Sequence, residues 1–339
     1  MRCVAGSIYR PGTGLEEGWL LLDGDRIVDA GHGRPPQPPS ASGLVLPSPV
    51  NAHTHVGDHV GRGRNLAGLS LADVVRPPHG LKHRLLRETP RERLVGGMRD
   101  ALREMREHGT RACLDFREQG LEGVRMLREA AAGTGVRAVA LARCAGDWDD
   151  AEADEVARAA DGIGLSALGD VASDVPQRAA RAARKHGKRF ALHFSEDERE
   201  DVGRALDLRP DFLVHLCRAT REDLAAVADA RVPLVLCPRS NALFGRAPPV
   251  RDVLALGIPF ALGSDNAMFH AADVLLDVRH LANAHPNVPR ETFLDAAIAG
   301  GALLLDGEAP RAWLQKGGPA ELVVLPGEGL DALFGPRAC

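Results

Sequence analysis

The feature that most constrains the fold is a repeated alternation of short apolar runs with segments of helical spacing. The helical segments carry apolar residues every three or four positions, as in 91–108, 120–132, 175–186, 221–230 and 272–284. The apolar runs between them occupy 45–52, 110–116, 136–142, 162–166, 189–194, 212–216, 232–237 and 260–263. Repeated strand-then-helix units indicate parallel strands, and eight such units predict an α/β fold with a closed, TIM-like (β/α)8 barrel.

An open, doubly wound α/β sheet is the alternative that the same alternation allows. Sheets of that kind that bind dinucleotides carry a glycine-rich turn directly after the first strand. No such turn follows the run at 45–52. The closed barrel is therefore the favoured prediction.

The two ends of the chain have a different pattern from the middle. Strand-like runs lie at 3–9, 19–22 and 26–30, and another at 320–325 is bounded by prolines. Strand-rich ends around a β/α middle indicate that the termini meet in one small domain. We expect residues 1–45 and 315–339 to form a composite β-sandwich and residues 46–314 to form the barrel.

One connection, 57–90, is long for a barrel loop and is rich in Gly, Arg, His and Pro. A connection of that length is usually functional or disordered. We interpret it as a lid over the site.

Charge and cysteine content exclude several classes of protein. The net charge is -4 and the sequence pI is about 6.4, with both signs mixed along the chain, so no basic surface for nucleic acid is expected. No apolar run approaches the roughly 20 residues that cross a bilayer, and the start lacks the apolar region of a signal peptide. The six cysteines include no C-x-x-C pair and fit neither a zinc ribbon nor a disulfide framework. We expect a cytoplasmic protein that binds a small molecule and no membrane.

Four potential metal ligands follow apolar runs that a barrel brings together. His53 and His55 close the first run, His193 lies in the fifth, and Asp265 follows the eighth. Residues two apart on a strand face the same side, and the carboxyl ends of barrel strands share one mouth. Three imidazoles and one carboxylate suit Zn, with Fe and Mn as alternatives, and leave a position for water.

The bland interpretation of a single H-x-H pair is two surface or core histidines. Four candidates at the ends of strands one, five and eight are harder to assign to chance. Two-metal versions of this barrel commonly bridge their ions with a carbamylated lysine after strand four, and 162–170 contains no lysine. We therefore expect one divalent ion, with Asp170 and Cys144 as less favoured extra ligands.

Two further residues complete a hydrolytic arrangement. Glu196 lies three residues after His193, where it could take a proton from the water and pass it to a leaving nitrogen. His215 ends the sixth run and could orient that water or stabilise developing charge. The non-functional alternatives are that Glu196 is a solvated surface acid and that His215 is a core histidine with its hydrogen bonds satisfied.

The ordered set of motifs resembles the amidohydrolase superfamily. Within it, the set is similar to the branch of cytosine, guanine and adenosyl-type deaminases and triazine hydrolases, whose barrels carry a terminal β-sandwich. The segments that carry the resemblance are PVNAHTH at 49–55, HFSE at 193–196, HLC at 215–217, CPRSN at 237–241 and LGSDN at 262–266. The stretch 69–83 departs from the substrate loop of the well-known nucleobase deaminases.

The resemblance implies a role for each residue. His53, His55, His193 and Asp265 would be the ligands, and Asp265 would also help to deprotonate the water. Glu196 would shuttle protons to the ring nitrogen and the leaving amine, and His215 would polarise the site. Barrels of this kind are often dimers, so a homodimer is the oligomeric state that the resemblance suggests.

Further side chains are expected to face the substrate because they lie in the lid or after strands two, three and seven. Each also has a bland interpretation as a surface charge or a packing aromatic. They are His79, Lys82, His83, Arg117, Glu118, Trp148, Ser240 and Asn241.

The sequence therefore predicts a metal-dependent hydrolase, specifically a hydrolytic deaminase of a purine, pterin or nucleoside-like heterocycle. The alternative within enzymes is hydrolysis of a cyclic amide or imidazolone C–N bond, or of a ring chloride as in chloro-triazines. A more distant alternative is an inactive barrel used as a scaffold.

Overall fold

The computed structural model describes residues 1–144, 148–308 and 312–335. Its strands are β1 (Arg2–Arg10), β2 (Gly14–Asp23), β3 (Arg26–Gly31), β4 (Ala41–Pro47), β5 (Val50–His55), β6 (Ala112–Arg117), β7 (Arg137–Ala142), β8 (Gly162–Leu165), β9 (Arg189–Phe194), β10 (Phe212–His215), β11 (Leu234–Leu236), β12 (Phe260–Leu262), β13 (Asp265–Asn266) and β14 (Leu322–Leu325).

Most of the helices lie between barrel strands. They are α1 (Leu71–Val75), α2 (Leu81–Glu88), α3 (Arg91–Glu107), α4 (Gly120–Ala131), α5 (Asp150–Ala159), α6 (Val175–Lys185), α7 (Val202–Asp207), α8 (Arg221–Asp229), α9 (Pro238–Leu243), α10 (Val250–Ala255), α11 (Val274–Ala284), α12 (Arg290–Asp295), α13 (Gly301–Asp306) and α14 (Asp331–Phe334). Short 3-10 helices occupy Val56–Gly61 and Leu168–Asp170, and a π-helical turn occupies Ala296–Gly300. No helix in the described ranges is long and apolar enough to span a membrane.

The central sheet is parallel and curls back on its first strand. Its order is β12-β11-β10-β9-β8-β7-β6-β5-β13, with every neighbouring pair parallel. The eighth barrel strand is in two pieces, because β12 pairs with β11 whereas β13 pairs with β5. This mixed α/β architecture is that of a TIM-like barrel, as the alternation in the sequence predicts.

The interior of the barrel is filled by small and branched side chains from alternate strand positions. They include Val50, Leu114, Leu141, Val214 and Val235, all essentially inaccessible to solvent. Such layers leave no pore, so the site lies above them, at the carboxyl ends of the strands. The helices pack outside in a second, larger apolar layer.

The first apolar run was assigned to one strand, and this assignment was wrong. Positions 45–47 belong to β4 of another sheet, and the first barrel strand begins only at Val50. Pro47 ends β4 and Pro49 lies in the break before β5, and proline cannot donate a hydrogen bond to a sheet. Hydropathy alone does not separate two apolar strands joined by so short a turn.

Both ends of the chain contribute to one five-stranded sheet, of order β14-β4-β1-β2-β3. β1 pairs in parallel with β4, and the other pairings are antiparallel. Its apolar face, with Val4, Ile8, Leu20 and Ile27, forms a cluster separate from the barrel core. The meeting of the termini agrees with the sequence, and the two-layered β-sandwich stays a prediction.

The predicted lid has its own secondary structure. It begins with the 3-10 helix Val56–Gly61, which packs against α3, and it continues through α1 and α2. Its first part is pressed so closely on the barrel that a Cβ on Gly57 would overlap the guanidinium of Arg117.

Two glycine-to-alanine substitutions should change stability in opposite directions. Gly96 lies in α3 with open space where a Cβ would be, so Gly96→Ala should raise the free energy of unfolding by about 0.5–1 kcal/mol. Gly6 has a φ of 132° and faces the backbone of Gly43, so Gly6→Ala should lower it by about 1–3 kcal/mol. Equilibrium denaturation of both variants measures these shifts. Equal effects of the two would contradict the close approach of β1 and β4.

Candidate active site

The predicted ligands come together at the carboxyl end of the barrel. His53 and His55 close β5, His193 is near the end of β9, and Asp265 begins β13. A register shift between β5 and β6, from Asn51 to Thr54, inserts one extra residue in β5. This bulge turns the two histidines towards the barrel axis.

Two residues of the site, Asp265 and His215, have unusual backbone conformations. Asp265 has a φ of 59° and His215 a φ of 79°, both in the left-handed region that non-glycine residues rarely adopt. Strain of this kind is usually found where the fold must aim a side chain precisely. Here it directs the carboxylate and the imidazole into the mouth.

The donor atoms are spaced as ligands of one small ion would be. Nε2 of His55 lies 3.2 Å from Nε2 of His193 and 3.6 Å from Oδ1 of Asp265. Nε2 of His53 lies 3.2 Å from the same Asp265 oxygen. Donors about 2.0–2.2 Å from a tetrahedral zinc ion would be roughly 3.3–3.6 Å apart.

The hydrogen bonds of the rings leave their Nε2 atoms free. Nδ1 of His55 is 3.0 Å from the carbonyl of Phe116, and Nδ1 of His193 is 2.7 Å from the carbonyl of Leu165. Each Nδ1 therefore donates its proton to a carbonyl, and each Nε2 presents a lone pair. Nδ1 of His53 is buried without a hydrogen-bond partner among the described residues, and Nε2 of the same ring faces the cluster beside Asp265. A buried Nε2 aimed at the other donor atoms fits a metal ion.

The protonation states suit the same ion. Burial lowers the pKa of His53 to about 4 and holds that of His193 well below its ordinary value, so both are neutral at pH 7. Burial alone would raise the pKa of Asp265, but His53, His215 and His55 hold it well below its usual range. Neutral imidazoles and an ionised carboxylate are the forms that bind metals.

Glu196 and His215 lie together beside this cluster. Oε2 of Glu196 is 3.5 Å from Nε2 of His215, and the side-chain amide of Asn241 is 3.1 Å from Oε1 of Glu196 and 3.2 Å from Nδ1 of His215. Ser240 donates to Oδ2 of Asp265. Burial, reinforced by the charge of Asp265, raises the pKa of Glu196 to about 8. Arg246 and Lys82 oppose this shift without cancelling it, so the protonated form of Glu196 is favoured at neutral pH.

A cavity of about 450 Å³ opens onto these groups. Its wall includes α1 and Lys82 from the lid, the turn after β8, and the acidic stretch 196–201 after β9. Arg143 also lines it and donates to Ser166. The size suits a small molecule, and the polar wall suits a heterocycle with several hydrogen-bonding groups.

Three of the predicted substrate residues form a buried charge network behind His55. Lys82, Arg117 and Glu118 are at most 5% exposed at their side chains. Nζ of Lys82 lies 2.7 Å from Oε1 of Glu118, and a guanidinium nitrogen of Arg117 lies 2.8 Å from Oε2. Of the three, Lys82 lines the cavity, whereas Arg117 and Glu118 do not.

The network also includes two acids that the sequence reasoning missed. Asp58 is 3.2 Å from Nζ of Lys82 and accepts from Asn266, and Asp115 is 3.3 Å from Arg117. The signal for Asp115 is its position inside the apolar strand β6, where an unpaired carboxylate would be costly. Burial alone would lower the pKa of Lys82, but Asp58 and Glu118 raise it, so the amine stays charged.

The remaining predicted contacts are placed away from the cavity wall. His79 is exposed, and His83 is buried with Nε2 3.1 Å from the carbonyl of Val75. Trp148 belongs to the outer apolar layer. Ser240 and Asn241 are buried and reach the site through Asp265, Glu196 and His215.

The less favoured extra ligands are also apart from the cluster. Asp170 lines the cavity and pairs with Arg76 at 3.5 Å, and Cys144 is buried. Within the described ranges, neither belongs to a group spaced to hold a metal; those groups combine His53, His55, His193, His215, Glu196 and Asp265.

Comparisons with known proteins agree with this geometry. The amidohydrolase family profile matches residues 44–329. The chain is 36% identical over 274 residues to an aminohydrolase of Methanothermobacter thermautotrophicus whose name gives no substrate, covering 74% of this chain and 70% of that protein. It is 28% identical over 382 residues to a 5-methylthioadenosine/S-adenosylhomocysteine deaminase of Halobacterium salinarum, covering 96% and 84%.

A solved structure has the same fold. It is atrazine chlorohydrolase from Arthrobacter aurescens in complex with zinc, with a TM-score of 0.73, 21% identity, and coverage of 96% of this chain and 88% of that one. The family profile spans most of the barrel, including the strands that carry the His–Asp cluster. The chain therefore belongs to the amidohydrolase family and is a hydrolase that acts on carbon–nitrogen bonds other than peptide bonds.

Proposed function

We propose that this protein is a hydrolytic deaminase of an amino-substituted heterocycle, such as a purine, a pterin or a nucleoside-like compound. It would convert the ring-bound amino group and one water into a ring oxo group and ammonia. The observation that carries this proposal is a pair of carboxyl groups, Asp265 and Glu196, whose surroundings drive their pKa values in opposite directions. Pairs of that kind divide the roles of base and acid.

His53, His55, His193 and Asp265 would hold one divalent ion, for which we propose zinc. A bound ion of this type supplies Lewis-acid activation of water. The count of one is supported by the end of β8, where the described residues 162–170 offer no lysine to bridge a second ion. The structural relative in complex with zinc supports the identity.

The chain's own groups would manage the protons. Asp265, ionised and steadied by Ser240, accepts a proton from the attacking water. Glu196 donates its proton to the ring nitrogen next to the reacting carbon. The resulting carboxylate takes the proton that remains on the new hydroxyl and passes it to the amine, which leaves as ammonia, and the proton held by Asp265 then restores Glu196. His215, neutral because burial lowers its pKa to about 3, offers Nε2 to the developing oxygen or to Glu196.

Glu196 favours an amine over a chloride as the leaving group. An amine leaves as neutral ammonia only after it gains protons, which a carboxyl with a raised pKa supplies. Chloride leaves as a stable anion and needs none. The deaminase from Halobacterium supports the same choice, whereas the atrazine chlorohydrolase supports ring-chloride hydrolysis as the second candidate.

We also propose that the barrel, 46–314, and the termini, 1–45 and 315–339, are separate domains, the latter a small β-sandwich. The support is the distinct apolar cluster of the terminal sheet, which gathers Val4, Leu20 and Val45.

Ammonia release tests the reaction directly. The zinc-loaded protein, assayed against a panel of aminopurines, aminopterins and adenosine derivatives, should release ammonia in step with the change in ring absorbance. A parallel panel of chloro-triazines, cyclic amides and imidazolones should give no product. Turnover in the second panel alone would replace deamination by the second candidate.

Glu196→Gln should keep the metal and lose turnover. The amide has nearly the same shape but cannot deliver a proton, so kcat should fall by about 10²–10⁴-fold while zinc content stays near one equivalent. The matched control is Glu155→Gln, an exposed acid on α5, which should behave as wild type. An active Glu196→Gln variant would remove this residue from the mechanism.

Chelation should abolish activity and lower the thermal unfolding midpoint, and added zinc should restore both. Binding at a free zinc concentration about 1,000 times the Kd stabilises the folded state by about 4 kcal/mol. His193→Ala should lose this zinc-dependent shift, whereas substitution of the exposed His32 should not. Less than about half an equivalent of metal, with no response to chelator or zinc, would favour the inactive scaffold.

A further inference from the structure

Lys82 comes from the lid but reaches the back of a metal-ligand histidine. It lies in α2, and its Nζ is 2.7 Å from Oε1 of Glu118, 3.2 Å from Oδ2 of Asp58 and 3.3 Å from Nδ1 of His55. Oε1 of Glu118 is itself 3.2 Å from Nδ1 of His55. One carboxylate oxygen therefore contacts both the amine and the imidazole edge that faces away from the ion site.

The second acceptor at that edge is fixed by the backbone. The carbonyl of Phe116 lies 3.0 Å from Nδ1 of His55, so its position depends on β6 alone. Glu118 follows the end of β6, and its carboxylate is free to turn unless other groups hold it. Two groups do so: Arg117 at Oε2 and Lys82 at Oε1.

The charges of the network do not cancel. Three carboxylates, Asp58, Asp115 and Glu118, face two cations, Lys82 and Arg117, which leaves one net negative charge in a buried region. Removal of Lys82 would leave two net negative charges in this region. A buried carboxylate that loses its cationic partner is no longer held in place and is drawn towards water, which would take Glu118 away from His55.

We propose that Lys82 is a positioning residue: by holding Glu118 against Nδ1 of His55, it makes docking of the lid part of the metal site. The inference rests on the metal site of the proposed function. The lid would thus set metal affinity as well as cover the substrate. Groups that hydrogen-bond to ligating histidines commonly change metal affinity by about 10–100-fold when removed.

A direct electrostatic effect would have the opposite sign. Lys82 is a cation close to a cation site, so its loss would strengthen metal binding if charge repulsion were its only influence. Positioning predicts weaker binding. The direction of the change therefore separates the two.

The experiment measures the zinc Kd of the full-length protein by competition with a chromophoric chelator. Lys82→Met and Glu118→Gln should each weaken zinc binding by about 10–100-fold. Because Lys82 acts through Glu118, the two losses should not add. The double variant should bind zinc no less tightly than whichever single variant has the higher zinc Kd. The cobalt(II)-loaded variants should also share an altered visible absorption spectrum, which reports the ligand geometry.

Arg76→Gln is the matched control. Arg76 lies in the same lid and lines the same cavity, but it pairs with Asp170, Asp197 and Glu198 rather than with a group that touches a ligand. Its zinc Kd should stay within about threefold of wild type. Thermal unfolding of the metal-free variants checks that each is folded, and if Lys82→Met is not, the isosteric Glu118→Gln still tests the link to His55.

Two results would overturn the inference: an unchanged or tighter zinc Kd in Lys82→Met, or losses that add in the double variant. Neither would touch the deaminase proposal, which the ammonia assay tests. Conversely, a wild-type protein that binds zinc and responds to Lys82 as described, yet releases no ammonia, would retain this inference and reject deamination.

Discussion

The approach of two imidazole nitrogens is the constraint on which the site depends. Nε2 of His55 and Nε2 of His193 lie 3.2 Å apart, and the hydrogen bonds at the far sides of the rings give both a lone pair. Two lone pairs at that distance repel each other unless a cation lies between them. The fold must therefore hold the rings in place, and it does so through the carbonyls of Phe116 and Leu165, which accept from the two Nδ1 atoms.

The same cluster explains why two neighbouring carboxyl groups differ. Asp265 faces three imidazoles and accepts from Ser240, so its ionised form is favoured despite burial. Glu196 is also largely enclosed, and its burial together with the negative charge of Asp265 favours its protonated form. Neither pKa is a property of the residue type. Each pKa follows from the side chains that neighbouring strand ends place beside the carboxyl group.

This dependence also marks what a sequence can predict. The barrel and the convergence of the His–Asp cluster could be foreseen, because parallel strands must bring their carboxyl ends to one mouth. The division of 45–52 between two sheets could not be foreseen, because it depends on Pro47 and Pro49 in an otherwise apolar run. Arg117 and Glu118 were expected to face the substrate but belong to the buried network behind His55. Glu118 is held there by Lys82, which is distant in sequence, and Arg117 pairs with Asp115 and Glu118.

The ion pairs that link the lid to the barrel differ greatly in strength. Around α1, Arg76 is about half exposed, at 47%, and its pairs with Asp170 and Glu198 are worth about 1 kcal/mol or less each. At α2, withdrawal of Lys82 would leave Glu118 short of a counter-charge, and breaking a buried pair costs about 3–5 kcal/mol. The ion pairs of α1 therefore contribute little to docking of the lid, whereas the buried pair of α2 anchors the lid beside the metal site.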